Sequence, residues 1–98
     1  MIRLMIHAPT EAALQRAQSN VRNLLKAAPE AQVEIVVNGP AAAIAVTLHD
    51  EAIRSRLVLC CNSLVNQNLE APDGVRTTSA AVLHIAQQQA AGWAYMRA

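Results

Sequence analysis

The chain has 98 residues and a formal net charge of +1, which bounds it to one small domain over residues 1–98. It is 53% hydrophobic but only 2% aromatic, with no Phe, so its core has to be aliphatic and rich in Ala. No run of Lys and Arg exists to track a phosphate backbone, which argues against nucleic acid as a partner. The longest apolar stretch, Ala41 to Leu48, falls far short of the roughly 20 residues a membrane span needs, so no membrane is expected either.

In chain order, Ile2 to His7 reads as a short strand that is largely apolar on both faces, as a buried parallel strand should be. It is too short before Pro9 to serve as a signal-peptide core, so a cytoplasmic location is expected, with Cys60 and Cys61 as free thiols. Thr10 is placed to cap a helix, with Glu11 in its first turn. Leu14, Ala17, Val21, Leu24 and Ala28 recur at three- and four-residue steps on one face, and Gln15, Arg16, Gln18, Arg22 and Lys26 cover the other. Val33 to Val37 is a second strand, dense in β-branched residues. Asn38-Gly39-Pro40 follows as a turn, Asn38 able to cap and Pro40 suited to a first helical position, with an Ala-rich helix running to about Leu48. Asp50 can cap a further turn, Glu51 to Ser55.

Leu57 to Cys61 reads as a third strand and Ser63 to Asn68 as a short helix. Glu70 to Gly74 is a loop by composition, and Val75 to Thr78 is a weaker strand. Ser79 is placed to cap a helix from Ala80 to about Ala91, with Val82, Ile85, Ala86 and Gln89 along one face and Gly92 just beyond its end. Trp93 to Met96 closes the chain's pattern as a last strand, its two aromatics on one face as anchors of a core or an oligomer contact. Strands alternating with helices imply right-handed βαβ crossovers and a parallel sheet. The C-terminal strand ends then share one edge, where α/β proteins bind ligands. His7, Asn38, Cys60 with Cys61, and Thr78-Ser79 arrive there.

Of these, Cys60 carries the sharpest chemistry. A thiol acts as a nucleophile only as the thiolate, and a helix beginning at Asn62-Ser63 supplies amide donors that favour that form. A cysteine in a strand is also a common small core residue. Cys61, as its neighbour in an extended strand, is expected to face the other way and pack, and a bond between the two would be strained. His7 reads as a hydrogen-bonding group at the site's edge or as a turn residue beside Pro9. His84 is expected to be structural and His49 exposed. The His and Cys spacings match no metal-site pattern, and Asn38-Gly39-Pro40 lacks the glycine pattern of a dinucleotide site, so no metal or cofactor is expected.

Cys60-Cys61-Asn62-Ser63-Leu64, taken with Ser19 to Leu25, Asn38-Gly39-Pro40, His84-Ile85 through Gln89, and Gly92-Trp93-Ala94-Tyr95-Met96-Arg97, resembles the DsrE/DsrF-like sulfur-relay family, which includes small stand-alone YchN-like members. The resemblance implies a three-layer α/β/α sandwich on a five-stranded parallel sheet, assembled as a homo-oligomer, a trimer or hexamer. It also implies a sulfurtransferase component that carries sulfur as a persulfide on Cys60, exchanging it with donor and acceptor proteins. His7, Asn38, Gly39, Asn62 and Ser63 would line the mouth. Many relatives place an Arg and then a Gly shortly after the relay cysteine, where this chain has Val65-Asn66-Gln67-Asn68. That departure, and the lack of an acid–base pair, keep a second reading in view: a non-catalytic oligomeric module that binds a small ligand or serves as a structural subunit.

Overall fold

Strands and helices alternate along the whole chain in the computed structural model, which describes residues 1–98. They are β1 (Arg3–Ala8), α1 (Glu11–Ala27), β2 (Gln32–Val37), α2 (Ala41–Ala45), α3 (Glu51–Arg54), β3 (Leu57–Cys60), α4 (Cys61–Asn66), β4 (Arg76–Thr78), α5 (Ala81–Ala90) and β5 (Ala94–Arg97). All the strands pair in parallel in one five-stranded sheet, in the order β4-β3-β2-β1-β5. This is the expected α/β sandwich.

The layering follows from handedness. The chain steps from β1 to β2 to β3 to β4 in one direction, so right-handed crossovers put α1 to α4 on a single face. The return from β4 to β5 runs the other way across the sheet, and α5 therefore lies alone on the opposite face. Strand residues alternate between the two. Ile6, Ala8, Val33, Ile35, Val37, Leu57 and Leu59 point into the larger core, against Leu14, Ala17 and Val21 of α1, Ala41, Ala42 and Ala45 of α2, Ile53 and Leu64. The alanines let α2 sit close to the sheet. Met5, Val36 and Cys60 point the other way and meet Ala81, Ile85 and Trp93.

Several boundaries differ from the sequence expectation. The helix after Pro40 ends at Ala45 rather than Leu48, because the chain tightens there: Thr47 N–H bonds to Ile44 O and Leu48 N–H to Ala45 O. The Thr47 hydroxyl also donates to Ile44 O at 2.7 Å, competing with a continuing helix. Asn38 does not cap this helix; Pro40 stands at that position, without a side-chain bond. The third strand stops at Cys60, and Cys61 already opens α4, with no loop between them. Cys61 is therefore a helical residue, and strand alternation does not decide its direction.

At α5 the N-cap is Ala80, not Ser79, and no side chain caps it. The helix is also turned from the expected phase. Ala81, His84, Ile85 and Gln88 face the sheet, while Val82 is 76% exposed. The cause is the residue beneath: Glu34 of β2 needs polar partners, as described below. Trp93 precedes β5 but packs on the Met5 and Val36 side. Gly92, at φ +94°, ends α5 in the left-handed region, where a glycine avoids the Cβ penalty. No helix is long and apolar enough to cross a membrane.

The central-strand packing sets a stability scale. Leu59 is fully buried in β3, so Leu59→Ala is expected to cost about 2–5 kcal/mol, and Ile35→Val about 0.5–1.5 kcal/mol, by urea denaturation.

Candidate functional site

β3 hands over to α4 on one face of the sheet, while its neighbour β4 leads to α5 on the other. The two connections diverge at the C-terminal ends of these strands. Open α/β sheets place their ligands at such switch points. Cys60 stands there, paired in register with Thr78.

The thiol is 5% exposed. Its Sγ accepts the Ala81 N–H, the first amide of α5, at 3.4 Å. Burial pushes the thiol pKa up, but donors outweigh it: the Ser63 and Ala81 amides, the Ser63 hydroxyl and the Asn62 amide together hold it below the ordinary thiol value. No cationic side chain belongs to this set. Backbone N–H groups at the starts of two helices do the work that a neighbouring Arg would do, because those amides have no partner within their own helices. Asn62 acts through its backbone; its residue is otherwise exposed. Cys61, half-buried, has a free thiol of its own.

Ser63 ties the thiol to the turn after β2. Its Oγ also accepts the Gly39 N–H at 2.9 Å, and Gln67 Nε2 donates to Gly39 O at 2.8 Å. Gly39 has φ +58°, and a Cβ there would lie 3.0 Å from Pro9 O. Its amide is thus spent on α4, and the Asn38-Gly39-Pro40 turn is a brace for Ser63 rather than an open ligand cradle.

His7 and Asn38 come together at the same edge. His7 Nε2 donates to Asn38 Oδ1 at 2.9 Å, and His7 Nδ1 meets the Tyr95 hydroxyl at 2.8 Å. With the amide oxygen as acceptor, Nε2 carries the proton, and in the neutral ring Nδ1 accepts from Tyr95. Val37 pairs with Leu59, so Asn38 follows alongside Cys60. The predicted site residues thus share one sheet edge, in two hydrogen-bonded groups: Cys60 with Ser63, Asn62 and Gly39, and His7 with Asn38. Sequence reasoning missed Tyr95 as the partner of His7 and Ala81 as a donor to Cys60.

It also missed a buried charge cluster on the same face. Glu34 of β2 is 4% exposed. Its Oε2 accepts from Arg76 Nη1 at 2.7 Å, and its Oε1 accepts from His84 Nε2 and Gln88 Nε2, each at 2.9 Å. Burial pushes the carboxyl pKa up, but the bonds from Gln88, His84 and Arg76, with the Arg76 charge, outweigh it and hold it below the usual carboxylate value. The available signal was one acid inside Val33-Glu34-Ile35-Val36-Val37, and a His and a Gln four residues apart on a helix.

No family model matches the chain, and no curated protein matches it. Among solved structures it is similar to the protein of unknown function MTH1491 from Methanobacterium thermoautotrophicum, with a TM-score of 0.83 and 24% identity over 100% of both chains. Identity at that level shows a common fold and nothing of the chemistry.

Two outcomes follow from this geometry. In a Cys61→Ser background the Cys60 thiol titrates below the ordinary thiol value of about 8.5, and Ser63→Ala moves its midpoint upward; thiolate absorbance against pH measures both. Glu34 has a folded-state pKa below its unfolded value of about 4.3, so its stabilisation is complete above that value and is lost as pH falls through the folded pKa. The melting temperature of the wild type therefore falls more steeply in that acid range than that of Glu34→Gln, followed by circular dichroism.

Proposed function

We propose that the chain is a sulfur-relay protein of the DsrE-like kind, holding sulfur as a persulfide on Cys60. The supporting observation is the thiol itself, set at the switch point of the sheet with donors from two helix starts lowering its pKa. The Cys60 thiolate attacks the outer sulfur of a donor persulfide R–S–SH. The donor S–S bond breaks, R–S⁻ leaves, and Cys60–S–SH remains; an acceptor thiolate reverses the exchange. Asn62 and Ser63 amides hold the anion, and His7, Asn38 and Gly39 border the mouth. Because Cys60 is 5% exposed, transfer requires the first turn of α5 to lift from the sulfur.

The same reading has donor and acceptor proteins as partners, a cytoplasmic location, and a homo-oligomer, a trimer or hexamer. Support for the last comes from α5, which alone covers its face and leaves Val82 76% and Leu83 46% exposed. A non-catalytic oligomeric module, binding a small ligand or serving as a subunit, is favoured by one observation, the burial of Cys60.

Mass spectrometry of the intact chain after treatment with cysteine persulfide separates the two. Wild type and Cys61→Ser are expected to gain about 32 Da, one sulfur atom, and Cys60→Ser is expected to gain none. No adduct on the wild type, or an equal one on Cys60→Ser, rules out the relay. Alkylation of Cys60 by iodoacetamide no faster than an ordinary thiol across neutral pH then supports the module.

A further inference from the structure

At the opposite edge of the sheet from Cys60, where β2, β3 and β4 begin, lies an open surface depression of about 460 Å³. Its lining includes Gln32 and Glu34 of β2, Ser55 and Arg56 just before β3, Arg76 of β4, and Trp93. The volume falls within the roughly 300–1,000 Å³ of small-molecule sites.

The chemistry of the lining is selective. Arg56 spends Nη1 on Ala52 O at 2.6 Å, and Arg76 spends Nη1 on Glu34 at 2.7 Å. A guanidinium carries five N–H donors in a fixed fork, so both retain donors for a ligand. Glu34 faces three donors and its charge is compensated, while Arg56 has no carboxylate partner. The lining is therefore net positive. Glu34 also fixes Arg76 in place, which lowers the ordering cost of gripping an anion. Trp93, half-buried and the one indole of the chain, also lines the depression. Gln32 and Ser55 add neutral polar groups to the lining.

We propose that this depression binds a small organic anion, a phosphate or carboxylate head held by Arg56 and Arg76 with a flat apolar body against Trp93. A guanidinium matches the oxygens of either head bidentately, and an indole face suits a planar body. The site does not involve Cys60, so it stands or falls separately from the relay reading.

Trp93, as the sole tryptophan, reports the site directly. The intact wild-type chain is titrated at low ionic strength with phenyl phosphate, with benzoate, and with uncharged phenol, following indole emission. A saturable change is expected with at least one of the two anions and none with phenol at equal concentrations; the tighter anion identifies the head group. Arg56→Gln, whose fold is checked by circular dichroism, is expected to weaken binding of that anion about tenfold or more. Arg76→Gln is expected to weaken it likewise. No saturable change with either anion, a phenol response equal to theirs, or unchanged affinity in Arg56→Gln would overturn the assignment.

Discussion

A carboxylate in the middle strand of a parallel sheet cannot be left bare, since removing an ion from water costs several kcal/mol. Glu34 is that carboxylate, and the only buried polar residue of the chain. Its donors come from both sides: Arg76 from the edge strand β4, and His84 and Gln88 from α5. Meeting this need turns α5 so that a polar pair faces the sheet. The rotation leaves Val82 and Leu83 outside. It also brings the Ala81 amide over Cys60. At the other end of the strands it holds Arg76 in the lining of the depression. One buried charge thus shapes both places on this face where chemistry is concentrated.

The means by which Cys60 is made acidic has its own consequence. Amide dipoles at helix starts do not titrate, whereas a Lys or His neighbour would lose its charge as pH rises. The donors around Sγ therefore act equally across the neutral and alkaline range. Their geometry depends on packing. Ser63 is held by the Gly39 amide, and Gly39 by the Gln67 side chain and the nearness of Pro9 O. Ala81 is held by the seating of α5. The thiol environment is a property of three elements meeting at a switch point, and no single residue accounts for it.

The larger core was legible in the chain because its signals are local. Leu14, Ala17 and Val21 repeat at helical spacing, and Val33 to Val37 is a β-branched run, so α1 and β2 were readable almost to their ends. Short elements were less so: β3 passes into α4 without a loop, and no turn residue marks the junction at Cys60 and Cys61. The phase of α5 misled, because its apolar residues suggested one face and the sheet required another. That requirement is long-range, with Glu34 meeting His84 and Gln88 across separations of 50 and 54 residues. Similarly, His7 and Asn38 could be placed at one edge from strand order, but their bond, and the Tyr95 bond 88 residues away, depended on β5 returning beside β1.

The two faces of the sheet divide the work. The side under α1 to α4 is aliphatic and closely filled, and it carries most of the apolar burial. The side under α5 has a much smaller apolar cluster, Met5, Val36, Cys60 and Ala81, set among charged and polar groups. A small domain with a net stability of roughly 5–15 kcal/mol can hold a buried carboxylate and a buried acidic thiol on one face only if the other is nearly free of such costs. Both groups are fastened to the same ten-residue helix: the thiol to its first amide, the carboxylate to the side chains of His84 and Gln88, about one and two turns in. A displacement of α5 that loosens Glu34 also draws Ala81 from Cys60, so the acidity of the thiol and the satisfaction of the carboxylate are set together by the seating of one helix.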